Sequence, residues 1–181
     1  VPGLYAAGLP RYPDPGVYMG GWPTCTTATT GYDSGEASAH FVLGHDDVSH
    51  DYAYAAHRLD YLTSKLGRDG ITPKDVIADM RAVMSAPDIA LMKTGRGLSR
   101  GLDRVEEVKK DILPRLGARD PHDLAKLFEA TSTVLLTELC LQAALLRKES
   151  RAGHYREDFP QRDDAHWLKW IEQRLVDGHR E

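Results

Sequence analysis

The run from Arg147 to Trp170 carries a dense mixture of arginines, carboxylates and aromatic residues. An arginine can make two parallel hydrogen bonds to a carboxylate or a phosphate, which a lysine cannot do. Charge runs are most often structural or solvated. The composition therefore predicts a salt-bridged segment that wraps the C-terminal part onto the domain, with a turn at Gly153 and a short last helix that begins at Asp163.

Histidines and aspartates cluster earlier in the chain, and two or three of them could meet at a metal ion. No His-Glu-x-x-His motif or cysteine pair fixes a ligand geometry there, so a helix start with solvent-facing histidines is favoured and no metal site is predicted. The cluster consists of His45, Asp46, Asp47, His50, Asp51 and His57.

Three other features could carry chemistry, but each favours a structural role. The glycine-rich run 93–101 lacks the spacing of a phosphate-binding loop, so we expect it to be the flexible start of a helix. Cys25 has no cationic neighbour in the sequence that would activate its thiol. Glu138 lies within an apolar pattern, which predicts a buried ion pair, with an arginine of the C-terminal segment as the expected partner.

Composition excludes several classes of protein. The chain has 181 residues and a formal net charge of -4, with both signs mixed throughout, which argues against a nucleic-acid-binding face. No apolar run approaches the roughly 20 residues that a membrane helix needs. Cys25 and Cys140 lie far apart, which favours a reducing, cytoplasmic setting. Because the chain starts abruptly at Val1, we expect it to be part of a longer or split protein.

Hydrophobic periodicity predicts a mainly α protein. Residues 46–66, 73–86, 98–116 and 121–145 each carry an apolar seam at helical spacing, and Thr72-Pro73 and Asp120-Pro121 are typical helix starts. Leu124, Phe128 and Leu135 are expected on the buried side of the last helix. We therefore predict a spectrin-repeat-like bundle of three long helices and a shorter one over residues 45–181.

Residues 1–44 differ in composition, being rich in glycine, proline, threonine and tyrosine. Leu4 to Ala7 is a short apolar run that predicts one buried strand. A proline- and glycine-rich loop follows, and a helix of small residues is expected from about Thr30. The segment therefore reads as strand, loop and helix, distinct from the bundle.

The segment that begins at Glu149, ESRAGHYREDFPQRDDAHWLKW, resembles the C-terminal signature of the flavoprotein subunits of succinate dehydrogenase and fumarate reductase. L-aspartate oxidase and adenylylsulfate reductase share it. The resemblance implies that this segment helps to dock domains, near an iron–sulfur partner. The residues to which it assigns that role are Glu149, Arg151, His154, Arg156 and Asp158.

Residues 1–44 resemble the end of the FAD-binding domain of the same family, through VPGLYAAG and the later threonine- and glycine-rich run. By this resemblance Gly8 and Leu9 lie near the ribityl or adenosine side of FAD, and Thr27 and Ala28 offer backbone donors to the flavin ring. A helix N-terminus stabilises the negative charge of a reduced flavin. Residues 1–44 are thus expected to complete an FAD-binding domain.

Two positions depart from the family pattern. Leu9 stands where an acidic residue is usual, and Trp22 stands where the succinate and fumarate enzymes have an arginine that anchors a substrate carboxylate. Loss of that cation weakens the case for a dicarboxylate substrate and leaves the substrate open.

The resemblance implies the C-terminal portion of an FAD-dependent oxidoreductase that exchanges electrons with a partner. Because the dinucleotide-binding glycines are absent from this sequence, we expect FAD to be shared with an upstream portion and this chain alone to be inactive. Expected partners are that upstream portion and an iron–sulfur subunit, with no nucleic acid and no direct membrane span; any membrane association would come through partner subunits. The alternative is a cofactor-free helical interaction module.

Overall fold

The computed structural model describes residues 3–11, 19–45, 52–176 and 179–180. The chain divides into two units, Val1–Ala53 and Tyr54–Glu181. The mainly helical architecture predicted from periodicity is confirmed. The predicted assignment of residues 1–44 and 45–181 to two domains stays a prediction.

The first unit is organised by one long helix, α1, Trp22–Leu43. The helix starts well before the predicted position near Thr30. Pro23 is suited to a first turn because its missing N–H needs no partner there. The hydroxyls of Thr26 and Thr30 donate to the helix carbonyls of Trp22 and Thr26, at 2.7 and 2.6 Å, so they do not compete with the helix.

The predicted strand at Leu4–Ala7 is not observed. Among the described residues this segment has no strand partner, and it runs along α1 instead. Ser34 Oγ donates to the Ala6 carbonyl at 2.7 Å, and the Gly8 amide donates to Thr30 Oγ1 at 2.7 Å. The backbone groups that a neighbouring strand would satisfy are thus partly satisfied by helix hydroxyls.

The second unit contains the remaining helices, except for the first two residues of the next helix, Tyr52 and Ala53, which fall in the first unit. A π turn at Val108–Ile112 and a 3-10 turn at Leu113–Arg115 follow the fourth of them, where Pro114 cannot supply the N–H that a further α turn needs. The helices are α2 Tyr52–Thr63, α3 Pro73–Ser85, α4 Pro87–Ala90, α5 Gly95–Glu107, α6 Pro121–Leu146 and α7 Asp164–Trp167.

Helix starts in this unit are set by side-chain caps. Thr72 and Asp120 accept from the amides of Asp75 and Asp123, at 3.4 and 2.8 Å, and a proline follows each cap. Thr94 caps α5 in the same way, so the glycine-rich run is a helix start, as expected. At the C-terminal end β1, Leu175–Val176, pairs antiparallel with β2, His179–Arg180.

The hydrophobic core lies between α3, α5 and α6. It includes Met80, Leu98 and Leu141, each essentially inaccessible to solvent. Gly101 lets α5 approach closely, since an added Cβ would lie 3.0 Å from Leu141 Cδ1 and 3.1 Å from Ile89 Cδ1. The predicted buried sides of α3 and α5 are confirmed.

The predicted buried side of α6 is wrong. Phe128 and Leu135 are exposed, whereas the helix buries Leu127, Val134 and Leu141. Apolar residues occupy more than one side of α6, so periodicity alone could not select the side that packs on α3 and α5.

The helix predicted from residue 46 is confirmed where it is described, but its apolar seam is not buried. No residue of α2 is buried, and Tyr52 and Leu59 are largely exposed. Val48 lies outside the described residues.

Candidate functional site

The C-terminal segment encloses two buried charges. The side chain of Glu149 is 0% exposed and Arg156 is 1% exposed, although charged residues are rarely fully buried unless paired. Both belong to the charged run from Arg147 to Trp170. The contacts of each show what the segment holds together.

Arg156 closes the C-terminal end of α6. Its Nη1 donates to the carbonyl oxygens of Ala144, Leu145 and Arg147, at 2.7, 3.1 and 3.1 Å. A helix leaves its last carbonyls without intrahelical partners, and a cation there also complements the helix dipole. Arg156 therefore caps α6 from a position beyond the helix.

Asp158 joins this cap to the start of α5. Its carboxylate accepts from Arg156 Nε and Nη2, both at 2.8 Å, and from the Gly95 amide at 2.9 Å. The hydrogen bond to Arg156, together with the Gly95 amide, holds the pKa of Asp158 at about 2. One ion pair thus ties the end of α6 to the beginning of α5.

Both carboxylate oxygens of Glu149 accept hydrogen bonds. Oε1 accepts from Arg147 Nη1 at 2.6 Å and from Arg151 Nε at 2.9 Å, and Oε2 accepts from Arg151 Nη2 and the Asp163 amide, at 3.0 and 2.9 Å. The hydrogen bond with Arg151 is the main cause that lowers the pKa of Glu149 to about 2. Arg151 also reaches Asp164 Oδ1 at 2.6 Å, so the network extends to α7.

His154 belongs to the turn that brings this segment back on itself. Arg151 and His154 exchange backbone hydrogen bonds of 2.8 Å, and Ala152 between them has a φ of 49°. His154 Nε2 lies 3.4 Å from the Arg147 carbonyl, and burial lowers the pKa of its ring. The turn predicted at Gly153 is present, and Ala152 adopts its left-handed conformation.

The predicted docking residues Glu149, Arg151, Arg156 and Asp158 form ion pairs with one another or with neighbouring residues, and His154 lies in the turn between them. Their contacts are made with helix ends and within the segment itself. We call residues 147–170 the clamp. This geometry matches the wrap predicted from composition. Whether the clamp also docks a second domain remains a prediction.

Two of the four predicted cofactor residues, Gly8 and Thr27, lie side by side in the first unit. Gly8 has a φ of +71°, and an added Cβ would lie 3.3 Å from Thr27 Oγ1. Ala28 and Leu9 are exposed. The helix α1 starts at Trp22, so its first turn ends before Thr27 and Ala28. The backbone amides that lack partners within the helix therefore belong to residues nearer Trp22.

Glu138 forms the buried ion pair predicted for it, but with a different partner. Lys109 Nζ, from the π turn, lies 3.0 Å from Glu138 Oε1. Burial opposes a charged Lys109, yet its hydrogen bonds to Glu138 and Glu106 raise its pKa overall. The π turn sets the position of Lys109, which sequence spacing could not indicate.

Most of the histidine and aspartate cluster lies outside the described residues, with only His45 and His57 inside them. Within the described ranges, no three His, Cys, Asp or Glu side chains are grouped so as to hold a metal ion. None of the described helices combines the length and the apolar character needed to cross a bilayer.

The clamp and bundle can now be compared with known proteins. The family described as fumarate reductase flavoprotein C-term matches residues 77–174, more than half of the chain. The chain belongs to this family. The match spans α5, α6 and the whole clamp, and it confirms the resemblance seen in the sequence.

Individual relatives agree with that assignment. The chain is 30% identical over 147 residues to an uncharacterized FAD-dependent oxidoreductase of Methanocaldococcus jannaschii, covering 79% of this chain and 26% of that protein. It is 26% identical over 151 residues to a fumarate reductase flavoprotein subunit of Mycobacterium tuberculosis, covering 76% of this chain and 26% of that protein.

Solved structures share the fold. Adenylylsulfate reductase from Archaeoglobus fulgidus superposes with a TM-score of 0.68 at 22% identity, over 78% of this chain and 25% of that one. The chain thus spans about a quarter of the length of these relatives. It contains the C-terminal helical domain of a flavoprotein of this family.

Sequence reasoning missed two contacts of the clamp. The Gly95–Asp158 hydrogen bond joins residues 63 positions apart, and Arg147 reaches the carbonyls of Trp167 and Lys169 at 3.1 and 2.8 Å. The only sequence signal for the second contact was the pair of tryptophans near the end of the chain.

Proposed function

We propose that this chain is the C-terminal part of an FAD-dependent oxidoreductase, and that FAD is held mainly by a portion of the protein not included in the chain. The family match across residues 77–174 carries the proposal. The chain covers only about a quarter of each of these relatives, which supports the proposal that a further portion of the protein holds FAD. Alone, the chain is expected to be inactive.

The residues of the first unit fit a flavin nearby. Gly8 lacks a side chain where the backbone lies against Thr27, and on α1 an added Cβ at Gly31 or Gly35 would meet no atom within 4 Å. Thr27 and Ala28 are small and exposed. The α1 backbone is therefore open at these glycines, and a flat ring could lie there beside the exposed ring of Tyr32.

FAD, when bound, would supply hydride transfer between its ring and a substrate. The contribution of this chain is to cover the cofactor with α1, while the clamp holds the helices of the second unit rigid. Trp22 provides no cation for a substrate carboxylate, so a substrate other than a simple dicarboxylate fits this chain better.

The partners follow from this assignment. The first is the FAD-binding portion of the same flavoprotein, and the clamp residues Glu149, Arg151, His154, Arg156 and Asp158 would hold the bundle in shape for docking to it. An iron–sulfur polypeptide is proposed as the electron partner. A cytoplasmic location is proposed, with any membrane association arising through partner subunits.

Co-expression with the FAD-binding portion tests the proposal. We expect a yellow complex that retains this chain through gel filtration and shows a flavin absorption band. A colourless chain that elutes alone in the presence of that portion would overturn the proposal.

Two matched variants locate the flavin. Ala28→Asp puts a carboxylate on the face proposed to cover the ring, so we expect weaker flavin retention and a more negative flavin midpoint potential, because negative charge disfavours the reduced anion. Thr29→Asp adds the same charge one residue along and about 100° around the helix. Equal effects of the two changes would contradict the assignment of this face.

A cofactor-free helical interaction module was the alternative. No contact in the described residues favours it over membership of the flavoprotein family.

A further inference from the structure

A cavity of about 410 Å³ lies at the end of the clamp. We name it the tryptophan pocket. Its volume falls within the range of about 300–1,000 Å³ found for ligand sites. It is lined by Arg147, Arg151, Trp167, Leu168, Lys169 and Trp170.

The floor of the tryptophan pocket is held in place by contacts that involve Arg147. This guanidinium donates to the carbonyls of Trp167 and Lys169, and it also lies 5.3 Å from the centre of the Trp167 ring. Lys169 Nζ lies 5.3 Å from the centre of the same ring. The backbone that carries the aromatic residues is therefore fixed to the end of α6.

The rim of the pocket is apolar and open. Leu168 is 72% exposed and Trp170 is 74% exposed, although large apolar side chains gain most by leaving water. Tryptophans are typical anchors of protein interfaces.

The charges that line the pocket are all positive. Of the six described residues that line the pocket, three are cations and none is a carboxylate. Arg147 and Arg151 are already engaged by Glu149. Lys169 has no carboxylate partner among the described residues, and it therefore offers the charge that an incoming anion can neutralise.

We propose that the tryptophan pocket binds an acidic segment of another polypeptide, with a bulky apolar side chain of that segment seated against Trp167 and Trp170. Charge complementarity selects this occupant, because the pocket combines the exposed Trp170 ring with the ammonium group of Lys169, which has no carboxylate partner among the described residues. The open rim accommodates an extended peptide, and the engaged arginines leave too few free donors to enclose a multiply charged phosphate.

This inference goes beyond the proposed flavoprotein function and does not depend on it. The pocket is built entirely from residues 147–170, which hold no group assigned to FAD. It predicts that loss of the pocket leaves flavin retention intact.

The test uses fluorescein-labelled hexapeptides and the complete 181-residue chain, read by fluorescence anisotropy. The probe is Asp-Glu-Leu-Phe-Glu-Asp with blocked ends. One comparison peptide replaces its acids by lysine, and another replaces Leu-Phe by Ala-Ala. We expect the acidic Leu-Phe peptide to bind at least about tenfold more tightly than either comparison peptide, a difference of about 1.4 kcal/mol.

Variants assign the binding to the pocket. Lys169→Glu and Trp170→Ala should each weaken binding about tenfold, as expected for one anchor or one complementary charge. Lys74→Glu, an exposed lysine on α3, is the matched control and should change the affinity less than about twofold. Lys169→Gln, which removes the charge without reversing it, replaces Lys169→Glu if that variant unfolds.

Three outcomes would overturn the proposal. They are equal affinity for the acidic and lysine peptides, an equal loss of binding in Lys74→Glu, and displacement of the peptide by AMP or by phosphatidylglycerol vesicles at comparable site concentration. In the flavin complex, Lys169→Glu should keep full flavin content. Failure of peptide binding with flavin retained would reject the pocket alone, whereas a colourless complex would reject the proposed function.

Discussion

The two long helices of this protein have similar length and very different surroundings. α1 has 22 residues and buries only Thr26 and Thr30. α6 has 26 residues and buries six, among them Leu127, Val134 and Leu141. Because packing of an apolar face supplies most of the stability of a helix in a protein, α6 is secured by its own unit to a much greater extent than α1.

The ends of the two helices differ in the same sense. The α1 C-terminus is closed by the Gly44 amide, which donates to the His40 carbonyl at 3.1 Å. The α6 C-terminus is closed by the buried guanidinium of Arg156, which is itself paired with Asp158. The buried Arg156–Asp158 pair therefore stabilises the second unit from within, whereas most of α1 is exposed and can be covered by a partner, as the proposed function requires.

The largest expected effect is the loss of Arg156 at the end of α6, and Arg11, which contacts α1, provides the comparison. Arg156→Ala leaves Asp158 and three carbonyls without their partner, so we expect a loss of about 3–5 kcal/mol in the free energy of unfolding. Arg11→Ala removes an exposed pair with Asp33 of α1 and should cost no more than about 1 kcal/mol. Urea unfolding followed by circular dichroism measures both, and equal losses would erase the contrast between the helices.

Truncation of one leucine in each helix tests how tightly the two helices are packed. Leu141→Ala empties a core position of α6 and should cost about 2–5 kcal/mol. Leu43→Ala, at a residue of α1 that is 85% exposed, should change stability by no more than about 0.5 kcal/mol. The same urea titration applies, and a large loss for Leu43→Ala would show that α1 is packed more tightly than its exposure indicates.

Acid should weaken the clamp. The pKa of Glu149 is lowered from 4.5 to about 2, chiefly by its hydrogen bond with Arg151. The unfolded chain takes up this proton at higher pH than the folded chain, so the stabilisation is complete above pH 4.5 and is lost as the pH falls towards 2. Asp158 acts in the same direction.

The measurement is the urea midpoint at several pH values between neutral and strongly acidic. Glu149→Gln cannot take up the proton, so its stability, although lower at neutral pH, should decline less steeply in acid. Parallel declines of the variant and the parent chain would show that Glu149 does not contribute to the acid sensitivity.

The smallest effect concerns the turn within the clamp. The other described residues with positive φ, in both units, are glycines, but Ala152 has a φ of 49°. A left-handed residue with a side chain costs about 1–2 kcal/mol, partly offset by the extra freedom of glycine when unfolded. Ala152→Gly should therefore stabilise the chain by about 0.5–1 kcal/mol. Ala125→Gly, at an exposed position within α6, should destabilise it by about 1 kcal/mol, and thermal unfolding separates the two signs.

The sequence predicted several elements well because their signals are local. Thr72-Pro73 and Asp120-Pro121 marked the starts of α3 and α6, since a cap and the residues it serves lie within one turn. The seam that contains Leu98 and Val105 identified the buried side of α5. The family could also be named, because the clamp motif is long and contiguous.

Other features could not be predicted from local pattern. The start of α1 was missed because threonines and glycines suggest loops, whereas here the hydroxyls bond to helix carbonyls. The wrong side of α6 was chosen because two of its sides are apolar. Asp158 reaches Gly95 only because the chain folds back between them.

The sequence alone determined that this protein is helical, that its charged C-terminal segment matters, and which family it resembles, because helical periodicity and a contiguous motif are properties of neighbouring residues. The tertiary structure decided which charges are buried, which side of α6 forms the core and which aromatic residues line a cationic pocket. These depend on distant residues being brought together, since a buried charge is tolerated only where the whole fold supplies its partners.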